Sequence, residues 1–197
     1  MNLKKKIIGG LGLGLLLGAV TPLTASAVVV DTGETDVTVT FTGGELELVT
    51  VPDLIDFGTN VLTADEETFT GTIVSDDDGF LEVADARGTG EGWHIVASMT
   101  GFTEGGDPSL PGSTITFAAP AATTTSTIAD TEPTLSEIVI SEDATGVPIN
   151  AEEGEGSGRW LFDWTTAGDI ELFVPAGAGT EGTHTATITW SLDDTPL

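Results

Sequence analysis

The sequence predicts an all-β protein, an antiparallel β-sandwich of Ig-like or Greek-key type, and three observations predict it. Nearly every apolar run has period two, the runs are short and bounded by Gly, Pro and Asp, and no stretch keeps helical periodicity beyond about two turns. Alternation of this kind suits antiparallel sheets with one buried face, whereas parallel units need helices between continuous apolar strands.

Taken in order, the chain opens with a segment that reads as a secretory signal peptide, residues 1–27. Lys4, Lys5 and Lys6 form a basic start, an apolar run extends from Ile7 to Val20, and Ala25-Ser26-Ala27 is a small-residue cleavage site. The apolar run is glycine-rich and shorter than the roughly 20 residues a membrane span needs, so no membrane insertion of the mature chain is expected. Cleavage after Ala27 leaves residues 28–197, long enough for one domain with a sizeable core. The sequence has no cysteine, which excludes disulfides, thiolate metal sites and a lipid-modified cysteine.

Strands are expected at Asp36–Phe41 (DVTVTF), Thr114–Phe117 (TITF), Ile138–Ile140 and Asp169–Val174 (DIELFV), within a total of roughly eight to ten. Residues 118–134, low in charge and rich in Thr, Ala and Pro, read as a long connection inside the domain rather than a linker between two. Two longer alternations carry tryptophan. In residues 92–99 Trp93, Ile95, Ala97 and Met99 share one face, and in residues 184–192 His184, Ala186, Ile188, Trp190 and Leu192 do. Each thus holds Trp-x-(Ile or Leu) with both large residues on the same side. Such a residue is either core or a contact surface, and the pattern leaves both open. Trp160, Phe162 and Trp164 form a third aromatic stripe with the same two readings.

Glycine ladders lead into two of these tryptophans: Gly88, Gly90 and Gly92 before Trp93, and Gly154, Gly156 and Gly158 before Trp160. Glycine at such spacing admits positive φ or close backbone approach where a Cβ would clash. Arg87 and Arg159, beside the ladders, are the basic residues left after signal removal, and each is expected to pair with a nearby acid, Arg87 with Asp85. Against them stand 32 carboxylates, a formal charge of −30 for residues 28–197. A field of that sign repels phosphates and anionic lipid, so no nucleic-acid partner is expected.

Catalysis is not expected. Cysteine and tyrosine are absent, no G-x-S-x-G occurs, and no carboxylate pair is singled out by spacing. His94 and His184 are far apart, without zinc-ligand spacing, and read as surface or edge residues of strands. Asp76-Asp77-Asp78-Gly79 has the composition of a cation loop but no distal Glu at EF-hand spacing. No cofactor and no metal are expected.

The surroundings of the two Trp-x-(Ile or Leu) stretches resemble the WxL-domain family of Gram-positive cell-surface proteins. Residues 85–93, DARGTGEGW, are similar to the family's Asp-x-Arg-Gly-x-Gly-x-Gly-Trp approach. The stretch from Val174-Pro175-Ala176-Gly177 through Thr187-Ile188-Thr189-Trp190-Ser191-Leu192 is similar to its C-terminal signature, and residues 40–58 to its opening segment. Ile95 stands where the family carries Leu, and His184 where it carries Tyr. The resemblance implies a secreted protein held at the cell wall without a covalent anchor. It implies peptidoglycan or another wall glycan as ligand and WxL-interacting surface proteins as partners in a surface complex. It further assigns wall or partner binding to Trp93, Ile95, Trp190 and Leu192, supported by Asp85, Arg87, Gly88, Gly90, Gly92, Arg159 and Trp160. The final residues, WSLDDTPL, show neither a Leu-Pro-x-Thr-Gly sorting motif nor an apolar tail, in keeping with non-covalent attachment.

Overall fold

The computed structural model describes residues 29–75, 80–125 and 132–197. The expected signal peptide and the Asp76-Asp77-Asp78-Gly79 run lie outside the described residues. The chain divides into two units, residues 1–40 and 41–197. Of the first unit, residues 29–40 are described; they are exposed and carry no strand. The strand expected at Asp36–Phe41 is therefore not formed, and Val37, Val39 and Phe41 are 88%, 73% and 87% exposed. Alternation produces a strand only where a neighbouring edge takes its hydrogen bonds and a facing layer takes its apolar side. Among the described residues no strand pairs with this stretch.

The second unit contains sixteen described strands, more than the eight to ten expected, and no described helix. They are β1 (Leu46–Thr50), β2 (Leu54–Asp56), β3 (Glu67–Thr70), β4 (Thr72–Val74), β5 (Leu81–Asp85), β6 (Trp93–Met99), β7 (Thr103–Glu104) and β8 (Asp107–Pro108). Then follow β9 (Thr114–Phe117), β10 (Ala121–Thr124), β11 (Thr134–Leu135), β12 (Ile138–Ile140), β13 (Gly146–Ala151), β14 (Gly158–Asp163), β15 (Ile170–Val174) and β16 (Ile188–Asp193). Many are two to four residues long, too short for alternation to reveal.

Three four-stranded sheets carry the fold, with strand orders β1-β5-β14-β10, β11-β13-β6-β16 and β12-β9-β15-β3, beside the ribbons β2-β4 and β7-β8. Every described pairing is antiparallel, and β7-β8 alone joins strands consecutive in the chain. The chain thus crosses repeatedly between layers, and the fold is all-β and sandwich-like, with three main sheets rather than two.

Alternation turns one side of each central strand inward. Leu81 and Val83 of β5, Trp93, Ile95 and Ala97 of β6, Phe117 of β9, Ile149 of β13 and Phe162 of β14 have no exposed surface. Each large apolar side chain so buried contributes about 1.5–3 kcal/mol. Trp93 meets Phe162 of the first sheet edge-on, with ring centroids 6.2 Å apart. The Trp160-Phe162-Trp164 stripe is core, with exposures of 3%, 0% and 2%.

One further sequence reading changes. Residues 118–134 are not a bare connection, because Ala121–Thr124 forms β10 and pairs with β14, Ala122 opposite Phe162. The β-branched threonines there suit a pleated edge, and residues 126–131 lie outside the described residues. Pro148, fully buried, lies inside the central strand β13, where proline is ordinarily excluded. The register between β13 and β6 shifts between Gly146 and Ile149, and that irregularity accommodates it.

Candidate functional site

The two glycine ladders pack against one another, with Trp93 beneath them. The amide of Gly154 donates to the Gly90 carbonyl at 2.8 Å. The Trp93 indole N–H donates to the Gly156 carbonyl at 3.1 Å. Gly92 and Gly156 have φ of 78° and 71°, and a Cβ on either has no room. At Gly92 it would run into the Ala151 carbonyl, and at Gly156 into the Trp93 indole nitrogen at 2.6 Å. The largest side chain thus stands against the most permissive backbone because the ladder is the lid over its ring. Gly88, Gly90 and Gly158 also have positive φ.

Arg87 closes this corner. Asp85 is the inward residue at the end of β5, with its side chain 2% exposed, and Arg87 meets it with Nε at 3.1 Å and a terminal nitrogen at 2.9 Å. The same guanidinium donates to the Gly92 carbonyl at 2.7 Å and to the Asp194 carbonyl at 3.3 Å. One fork therefore ties the first Trp motif to the residues just beyond the second, which suits arginine's fixed donor geometry. The hydrogen bond with Asp85 raises the Arg87 pKa above its ordinary value; burial works against this, and the charges of Asp85, Glu91 and Asp194 add to it. Arg159 pairs with Glu82 instead, with its side chain 47% exposed.

The second motif lies on β16, which pairs with β6 so that Leu192 faces Ile95 and Trp190 faces Ala97. The motifs are thus neighbours in one sheet, but unequally covered. Trp93 and Ile95 have no exposed surface, whereas Ile188, Trp190 and Leu192 are half-buried. Trp190 packs against Phe117 and Trp164, each with ring centroids 5.6 Å away. Its remaining surface borders a groove of about 990 Å³. Residues 52–63, Glu67 and Phe69, Phe102, Leu110 and Ile115, and residues around Leu172 to Ile188 complete the lining. Asp53, Asp56, Asp65, Glu67 and Glu181 line it, and among the described residues no Lys or Arg does. Nothing in local spacing marks this groove, since its walls come from segments more than a hundred residues apart. Of the residues singled out in the sequence, Trp190 borders it, together with His184, Ala186 and Ile188 of the same alternation. Trp93, Asp85, Arg87, the first ladder and Trp160 gather instead around the Gly156 corner.

His94 is not a surface or edge residue. It is 8% exposed on the interior strand β6, with Nδ1 2.6 Å from the Thr195 carbonyl and Nε2 3.4 Å from Asp193 Oδ2. The cover comes from chain about a hundred residues away, which alternation on β6 cannot register. His184 lines the groove, with Nε2 2.9 Å from the Thr180 carbonyl and Nδ1 2.9 Å from Ser109 Oγ. With Nε2–H donating to that carbonyl, Nδ1 is left to accept from the Ser109 hydroxyl. The contact has the length of a nucleophile–base pair, but a carbonyl stands where a carboxylate would stabilise the imidazolium. Among the described residues no group of three or more His, Cys, Asp or Glu is placed to hold a metal ion.

No curated protein and no solved structure matches the chain. A family model does, over residues 19–196: the WxL domain, described as surface cell wall-binding. With two register-paired Trp motifs, a ladder-capped tryptophan and a match over nearly its whole length, the chain belongs to the WxL-domain family of cell-surface, cell-wall-binding proteins.

Proposed function

We propose that this surface, wall-binding protein acts without catalysis, held to peptidoglycan non-covalently through residues 28–197 after removal of residues 1–27. The observation that carries this reading is the match to a wall-binding domain over nearly the whole chain. The unequal burial of the two motifs supports a division of labour in this reading. Trp93 and Ile95, with Asp85, Arg87, Gly88, Gly90, Gly92, Arg159 and Trp160, hold the shape, and Trp190 and Leu192 supply the contact side. Residues 28–197, of formal charge −30, meet a polyanionic wall, so stacking, hydrogen bonding and shape carry the attraction rather than charge.

Sedimentation of the purified mature chain with isolated walls tests this. Binding is expected to hold or strengthen up to about 1 M salt, where the Debye length is about 3 Å, and to survive a chelator. Binding that collapses at modest salt overturns the stacking-and-shape account, and release by chelator alone replaces it with divalent bridging.

A second reading is favoured by the open strand edges around the groove: the protein docks onto a companion surface protein that itself holds the wall. Adding the companion then raises sedimentation that the chain alone does not show.

A further inference from the structure

We propose that the groove beside Trp190 is a docking site for an extended, basic segment of another polypeptide, taken up as an added strand. The proposal deepens the docking reading above and rests on it. Two independent features carry it, one of topology and one of charge.

The walls of the groove combine the connections around residues 57–65 and 175–187 with three edge strands. β2, β3 and β16 all contribute lining residues, and among the described residues each pairs on one side only. β2 pairs with β4 alone, β3 ends the third sheet and β16 ends the second. An unpaired edge presents a row of main-chain donors and acceptors at strand spacing. An extended peptide satisfies that row while every second side chain enters an apolar floor, here Trp190, Phe69 and Leu172 among others. A wall glycan would find the same floor, but its acetamido N–H and C=O groups are side groups spaced by whole sugar rings, not a main-chain row at strand spacing.

Charge then selects among polypeptides. Among the described residues five carboxylates and no lysine or arginine border the groove, in a protein whose residues 28–197 carry a formal charge of −30. Such a site attracts cations and disfavours acidic segments, a second copy of this chain included. An occupant with Lys or Arg alternating with apolar residues satisfies floor, edges and rim at once.

The test selects displayed random peptides on the purified mature chain, then makes the strongest synthetically and maps its complex by amide hydrogen exchange. Enriched peptides are expected to alternate apolar residues with Lys or Arg and to slow exchange within residues 54–56, 67–70 and 188–193. Asp65→Lys with Glu181→Lys should weaken binding about tenfold or more. Glu137→Lys with Asp143→Lys, exposed positions away from the groove, should weaken it less than about threefold. No enrichment, an acidic or uncharged consensus, protection elsewhere, or equal losses from the two charge reversals each overturn the proposal. Protection of the same strands by soluble wall glycan and not by peptide assigns the groove to sugar and overturns it too. A chain that fails here but sediments alone with walls leaves wall attachment standing.

Discussion

The corner around Trp93 and the groove beside Trp190 start from the same three-residue pattern and end as different kinds of structure. Trp93 lies on β6, with β13 on one side, β16 on the other, Phe162 of another sheet against its ring and the glycine ladders over its edge. Trp190 lies on β16, with β6 on one side and no described strand on the other. The lesson is that a Trp-x-(Ile or Leu) stretch sets which residues share a face but not how many layers cover it. The covered copy is an internal strut, and the half-covered copy keeps part of its ring at the surface.

The largest effect that tests this contrast is Trp93→Ala. It removes the contact with Phe162 and the indole bond to Gly156 and leaves a cavity, so a loss of about 3–5 kcal/mol is expected. Denaturant unfolding measures it, and an unchanged midpoint combined with lost wall binding would make Trp93 a contact residue after all.

Next in size is Arg87→Ala, about 3 kcal/mol, because the Asp85 carboxylate would remain buried without its partner. The sign of the pH dependence follows from the raised Arg87 pKa. Its contribution is fully present below the ordinary arginine value and fades only as pH rises through the higher folded value. The deficit of the variant should therefore be flat between about pH 6 and pH 9, and unfolding curves at several pH values check that.

Trp190→Ala is expected to cost less, about 2 kcal/mol, since part of the ring is already in the groove and the Phe117 and Trp164 contacts are what is lost. The variant should stay folded, with native near-ultraviolet circular dichroism, while wall sedimentation falls. Equal destabilisation by the two tryptophan variants would erase the distinction drawn here.

The smallest effect sharpens the same contrast on the arginines. Arg159 is half-exposed on its pair with Glu82, so solvent screening leaves Arg159→Ala at less than about 1 kcal/mol, readable as a small shift of the thermal midpoint.

Legibility in the sequence followed the range of the forces involved. Face assignment on β6 and β16, the strands at Thr114–Phe117 and Ile138–Ile140, and the Asp85–Arg87 pair were all readable, because each depends on residues a few positions apart. The same local rule misled at Asp36–Phe41, whose alternation has no strand to pair with, and at residues 121–124, where β14 makes a strand of a segment with no alternation of its own. His94 failed for a related reason, since its cover arrives from Asp193 and Thr195.

By itself, then, the sequence determined the all-β class, the period-two faces, the acidic field and the family to which the motifs belong. Only the tertiary structure decided that the two glycine ladders meet over Trp93, that one motif is sealed and the other open, and that an acidic groove lies between strand edges. The physical reason is that the pleat and the sum of charges are properties of neighbouring residues and composition. Burial and edge exposure depend instead on which distant strands come to lie alongside, and nearly every described pairing in this fold joins strands that are not consecutive in the chain.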